Sequence, residues 1–101
     1  MKTTLKEEGQ NLIMTFEGRL DTAASAQTEK DMQPLNNCEG KHVTLDCSQL
    51  EYISSSGLRL FLGLAKVTKQ KGSGQVSITG LSSDIRQVFD EIGFSQLFDI
   101  K

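Results

Sequence analysis

The sequence predicts an α/β fold: a mostly parallel sheet of four to five strands with an N-terminal hairpin, its helices covering one side. Three observations carry this expectation. Apolar residues alternate with a period of two in "NLIMTFEG", "KHVTLDCS" and "GQVSITG", the signature of strands. Between and after these runs the spacing changes to that of amphipathic helices. Strands alternating with helices imply right-handed crossovers and hence parallel pairing.

Each element follows in chain order. In "NLIMTFEG", Leu12, Met14 and Phe16 fall on one side and Ile13 and Thr15 on the other, and "KEEGQN" before it holds a turn, so residues about 2 to 18 form a hairpin. "DTAASAQTEKDMQPLNN" reads as the first helix, capped by Asp21 or Thr22, with Pro34 near its end. "KHVTLDCS" is a strand, expected to be central, and "QLEYI" is its connector to the next helix. The second helix spans Ser56 to Lys71 and is closed by Gly72. Leu58, Phe61, Leu62 and Ala65 line one of its faces and Leu60, Leu64 and Val67 another, wider than one sheet face needs, so part of it is clamped by a neighbour or open to a partner. "GQVSITG" is a further strand, reached through the turn at Gly72 to Gly74. "SSDIRQVFDEIGF" is a compact helix with Ile85, Val88, Phe89 and Ile92 as its stripe, Ser82 or Ser83 as cap and Gly93 as stop. A last short extended piece closes the chain. Only three helices are legible, each with an apolar stripe that a single sheet layer covers.

At 101 residues the chain is one domain, residues 1–101, large enough to bury a core without metal or disulfide staples. Its net charge of −2, with signs interleaved, argues against direct nucleic-acid binding, which needs a basic patch. Cys38 and Cys47 have no CxxC spacing and only His42 near them, so no metal site is expected. Cys47 reads as a small core residue and Cys38 as a loop thiol. The charged opening "MKTTLKEEGQ" and the unpaired cysteines favour a reducing cytoplasm, and no run is long enough for membrane insertion.

The informative stretch is "YISSSGLRLFLGLAKV", where Ser54, Ser55 and Ser56 precede the second helix. Their plainest role is as N-caps, accepting from the free amides of the first turn. Three serines exceed the one cap a helix requires, however, and Gly57 just inside the helix costs about 1 kcal/mol relative to Ala. A glycine there is sensible if something must approach the backbone closely. The position also tolerates a phosphate, which meets free N–H groups and the positive end of the helix dipole. Cap and switch both remain open on these grounds. A serine nucleophile is not expected, because the only histidine, His42, opens the strand whose far end leads to the serines, and no GxSxG elbow is present.

With "GRLDTAAS", "HVTLDCSQLEYISSSGLRLFLGLAKVTKQKG" and "QVSITGLSSDIRQVFDEIGFSQLF" in view, the whole chain resembles a STAS domain, the family of bacterial anti-sigma factor antagonists and of sulfate-transporter tails. The resemblance implies a non-enzymatic regulatory module that binds an anti-sigma factor serine kinase and releases a sigma factor. It implies Ser56 as phosphoacceptor, a phosphatase that reverses the modification, and contacts through Asp21, Ser54, Ser55, Gly57 and Leu58. No cofactor belongs to the chain, ATP being bound by the kinase. At Ser54 antagonists of the phosphorylated kind usually carry aspartate. The alternative implied by the same family is a STAS structural subunit of a larger assembly, such as a lipid or anion transporter, with no phosphorylation cycle.

Overall fold

The computed structural model describes residues 1–37, 41–70 and 76–100. Strands β1 (Lys2–Glu8) and β2 (Asn11–Leu20) form the antiparallel hairpin, followed by helix α1 (Thr22–Met32) and a 3₁₀ turn at Gln33–Asn37. Then come β3 (His42–Ile53), α2 (Ser55–Gln70), β4 (Val76–Thr79), α3 (Ser83–Glu91), a 3₁₀ turn at Phe94–Gln96 and β5 (Asp99–Ile100). The five strands lie in sequence order, and every pairing after the hairpin is parallel. The expected stop at Gly72, the turn at Gly72 to Gly74 and Cys38 fall outside the described residues.

One face of the sheet carries the core. Leu12, Met14 and Phe16 of β2, Val43, Leu45 and Cys47 of β3, and Val76 and Ile78 of β4 are buried on it. All three helices pack there, as the single stripes predicted. The ring of Phe16 meets that of Phe61 in α2 at 5.3 Å, and Phe61 meets Phe89 in α3 at 6.0 Å. Phe94 and Phe98 continue the series at 5.4 and 5.7 Å. Tilted and edge-on contacts of this kind each contribute about 0.5–1.5 kcal/mol beyond burial. On α1, Asp31 accepts a hydrogen bond from Thr3 Oγ1 of β1, at 2.8 Å, which holds that helix over the hairpin. The opposite face has Ile13, Thr15, Thr44 and Asp46 half-buried, with no helix on it among the described residues.

The "QLEYI" segment is not a connector. It is the second half of β3, which pairs with β2 as far as Leu20↔Ile53. The register slips twice, from Thr15↔Asp46 to Glu17↔Gln49 and from Gly18↔Leu50 to Arg19↔Tyr52. Each slip inserts one extra residue into β3, and such a bulge moves the following side chains to the other face. Leu50 therefore returns to the core out of step with Cys47. The period of two ends at Cys47 although the strand does not.

Two side-chain placements emerge only in the tertiary structure. His42 is half-buried at the start of a central strand, with Nε2 2.8 Å from Ser77 Oγ. In α3 only Ile85 and Phe89 are buried; Val88 and Ile92 are 37% and 48% exposed. Phe94 and Phe98, in and just after the 3₁₀ turn, are buried instead and extend the aromatic series from Phe89.

Candidate functional site

The ends of β2 and β3 lie side by side, and the two loops that leave them form one surface. Leu20 and Ile53 are partners in register, and Ser54 N donates to the Leu20 carbonyl at 2.8 Å. Asp21 and Ser54 thus follow directly from paired residues. Asp21 is the N-cap of α1: its Oδ1 accepts from Ala24 N at 2.9 Å and its carbonyl accepts from Ser25 Oγ at 2.8 Å. The carboxylate is half-buried and spends one oxygen on the cap.

Ser54 caps α2, which therefore begins at Ser55, one residue earlier than the expected Ser56. Its Oγ accepts from Gly57 N at 3.2 Å, and its carbonyl accepts from Leu58 N at 2.9 Å. The first two residues of α2 are therefore Ser55, exposed, and Ser56, half-buried. Gly57 has a reason internal to the fold. A Cβ at this position would lie 2.7 Å from Leu20 Cγ and 2.9 Å from Ile53 Cγ1, so the backbone of α2 rests directly on the two paired strand ends. Leu20 is fully buried and has no room to withdraw.

Ser54 and Gly57, expected to contact a partner, are both buried. What they contribute is the shape and rigidity of the loop. The outward-facing members of the set are Asp21, Ser55, Ser56 and, half-buried against the core, Leu58. His42 sits at the opposite end of β3 and cannot serve these serines as a base.

The wide apolar surface of α2 is explained by two neighbours. Phe61, Leu64 and Ala65 are buried, while α1 packs alongside and leaves a groove of about 220 Å³ lined by Met32, Leu60, Leu64 and Val67, with Glu29 and Arg59 at its edges. Gly63 lies in its wall, and a Cβ there would meet nothing within 4 Å. Arg59 is not among the site residues read from the sequence, although it stands three residues after Ser56 in the same helix. On the uncovered face, Arg19 lies 4.5 Å over the ring of Tyr52, next to the strand ends.

Cys47 is a buried free thiol whose pKa is pushed up to about 12 by burial and by neighbouring Asp46. It is a packing residue and poorly reactive. Among the described residues no cluster of His, Cys, Asp and Glu could hold a metal ion, and no helix is long and apolar enough to cross a membrane.

The family model for the STAS domain matches residues 2–101. The chain belongs to the STAS domain family. It is 32% identical over 100 residues to BtrV of Bordetella bronchiseptica, whose name describes an anti-sigma factor antagonist, with 99% of this chain and 85% of that protein covered. Among solved structures it resembles that of an anti-sigma factor antagonist from Thermotoga maritima, at TM-score 0.86 and 18% identity over 97% of this chain and 84% of the other. It also resembles the phosphorylated form of the Bacillus cell-fate determinant SpoIIAA, at TM-score 0.75 and 17% identity over 99% and 91%. These structural likenesses establish the fold.

Proposed function

We propose that this STAS domain is a non-enzymatic, cytoplasmic anti-sigma factor antagonist that docks on an anti-sigma factor serine kinase and is switched by phosphorylation of Ser56. The carrying observation is the platform under that serine: Ser54 caps the helix from a buried position, and Gly57 seats it on Leu20 and Ile53. The hydroxyl of Ser56 is thereby held in the first turn of α2, on the same surface as Asp21. The name of BtrV and the phosphorylated state of the SpoIIAA structure support the reading.

In the switching step Ser56 Oγ forms a bond to the γ-phosphorus of ATP held by the kinase. The bond from that phosphorus to the β–γ bridging oxygen breaks, ADP leaves, and the hydroxyl proton passes to a base of the kinase. A phosphatase returns the serine by hydrolysis. Locally the phosphate faces free amides and a favourable dipole, so stability changes by about 1 kcal/mol or less. At the partner's surface the same charge must be desolvated, which costs several kcal/mol.

Mass spectrometry after incubation with the anti-sigma factor kinase of the same genome and ATP tests the assignment. One phosphate in the wild type and none in Ser56→Ala is expected. Ser55 is the more exposed hydroxyl, and a phosphopeptide that persists in Ser56→Ala would assign it instead. No phosphate in any variant would leave the domain as a non-switching subunit of a larger assembly.

A further inference from the structure

We propose that Arg59 is the intramolecular ligand of the phosphate on Ser56, and that the modified serine draws its guanidinium away from the edge of the groove between α1 and α2. The inference rests on the phosphoacceptor reading above and adds the means by which the modification reaches a second surface. Ser56 and Arg59 stand three apart on α2, which places their Cβ atoms about 5–6 Å from one another. Helical side chains lean toward the N-terminus, which puts the turn that holds Ser55 and Ser56 within reach of the Arg59 guanidinium.

Arg59 is exposed and makes no ion pair among the described residues, although Glu29 lines the same groove. Its guanidinium is therefore free to turn. Arg19, the other arginine near the strand ends, is engaged with the Tyr52 ring and faces the uncovered side of the sheet. Lys66, the next basic residue along α2, is about two turns further from Ser56.

A phosphoserine supplies a charge of about −1.5 to −2 and three strong acceptor oxygens, for which a guanidinium is a matching two-pronged donor. With Arg59 drawn to the phosphate, the groove keeps Glu29 and its apolar floor of Met32, Leu60, Leu64 and Val67 but loses its cation. A partner contacting both the loop and the groove then meets two changes of charge from one modification.

The test uses the full domain with phosphoserine installed at position 56 during synthesis, so no kinase is involved. A neighbouring cation favours the dianion and lowers the second phosphate pKa from its ordinary value of about 6. By ³¹P NMR titration at low ionic strength, the wild type is expected to titrate about half a unit below Arg59→Gln, a threefold difference in proton affinity. Arg59→Lys should recover part of the shift, and high salt should shrink it. In the wild type itself the Arg59 Nε–H resonance should move on phosphorylation, a readout that needs no variant. Identical titrations in wild type and Arg59→Gln with an unmoved Nε–H signal would overturn the role of Arg59 and leave the phosphoacceptor intact. A normal NMR shift with no phosphate transfer by the kinase would instead overturn the phosphoacceptor reading and with it the regulatory use of the contact.

Discussion

The N-termini of α2 and α3 are built from the same local chemistry. Ser54 Oγ accepts from the amide three residues on, at 3.2 Å, and Ser82 Oγ does the same at 3.3 Å. Each cap is followed by a serine at the first helical position, Ser55 and Ser83, and both of these are exposed. The surroundings separate them. Ser54 is buried and tied through its own amide to Leu20 of the neighbouring strand, and Gly57 two residues into the turn rests on Leu20 and Ile53. Ser82 is exposed, and the residue corresponding to Gly57 is Ile85, whose side chain enters the core. One helix start is docked through its backbone and the other through a side chain. Only the first makes a fixed platform, and the proposed acceptor, Ser56, stands on it.

The largest expected effect is at the glycine. Gly57→Ala forces a methyl group against two packed side chains and should destabilise the domain by about 1–3 kcal/mol in chemical denaturation. Unchanged stability would show that α2 is not seated through its backbone.

Next comes binding. Ser56→Asp should weaken affinity for the anti-sigma factor at least tenfold, about 1.4 kcal/mol by titration calorimetry, while leaving thermal stability nearly unchanged. The same change at the other helix, Ser83→Asp, should alter neither. Equal losses at both positions would remove the distinction between the two helix starts, and unfolding of Ser56→Asp would make the serine a structural element.

The caps themselves should differ by a smaller margin. Ser54→Ala leaves the buried Gly57 N–H without its acceptor and should cost about 1–2 kcal/mol. Ser82→Ala, where water can replace the hydroxyl, should cost about 0.5–1 kcal/mol. Denaturant midpoints of the two variants check the order. The smallest effect has the opposite sign. Gly63→Ala, mid-helix and with open space around it, should stabilise the fold by about 1 kcal/mol or less through helix propensity. A loss of stability there would mean that α2 is more crowded on its groove side than the packing indicates.

The order of elements was legible because hydrophobic period survives in single residues: Leu12, Met14 and Phe16 announce β2, and Val43, Leu45 and Cys47 announce the first half of β3. The rest of β3 was not, since two bulges carry Leu50 and Ile53 back to the covered face at intervals no strand period contains. The candidate site was legible as a cluster of residue types, Asp21 with Ser54 to Leu58. Its internal division was hidden, with Ser54 and Gly57 buried beneath and Asp21, Ser55 and Ser56 facing outward.

By itself the sequence determined that this chain is a hairpin followed by alternating helices and strands with one covered sheet face, because amphipathic spacing is a local property that each segment carries alone. The tertiary structure alone decided why Gly57 is a glycine, which serine caps α2, and that half of the α3 stripe stays open. Those outcomes depend on what comes to lie opposite each residue. Leu20 reaches Gly57, and Phe94 packs against Phe89 while Val88 and Ile92 stay exposed, only after the bulged strand and the helices have packed on one face of the sheet.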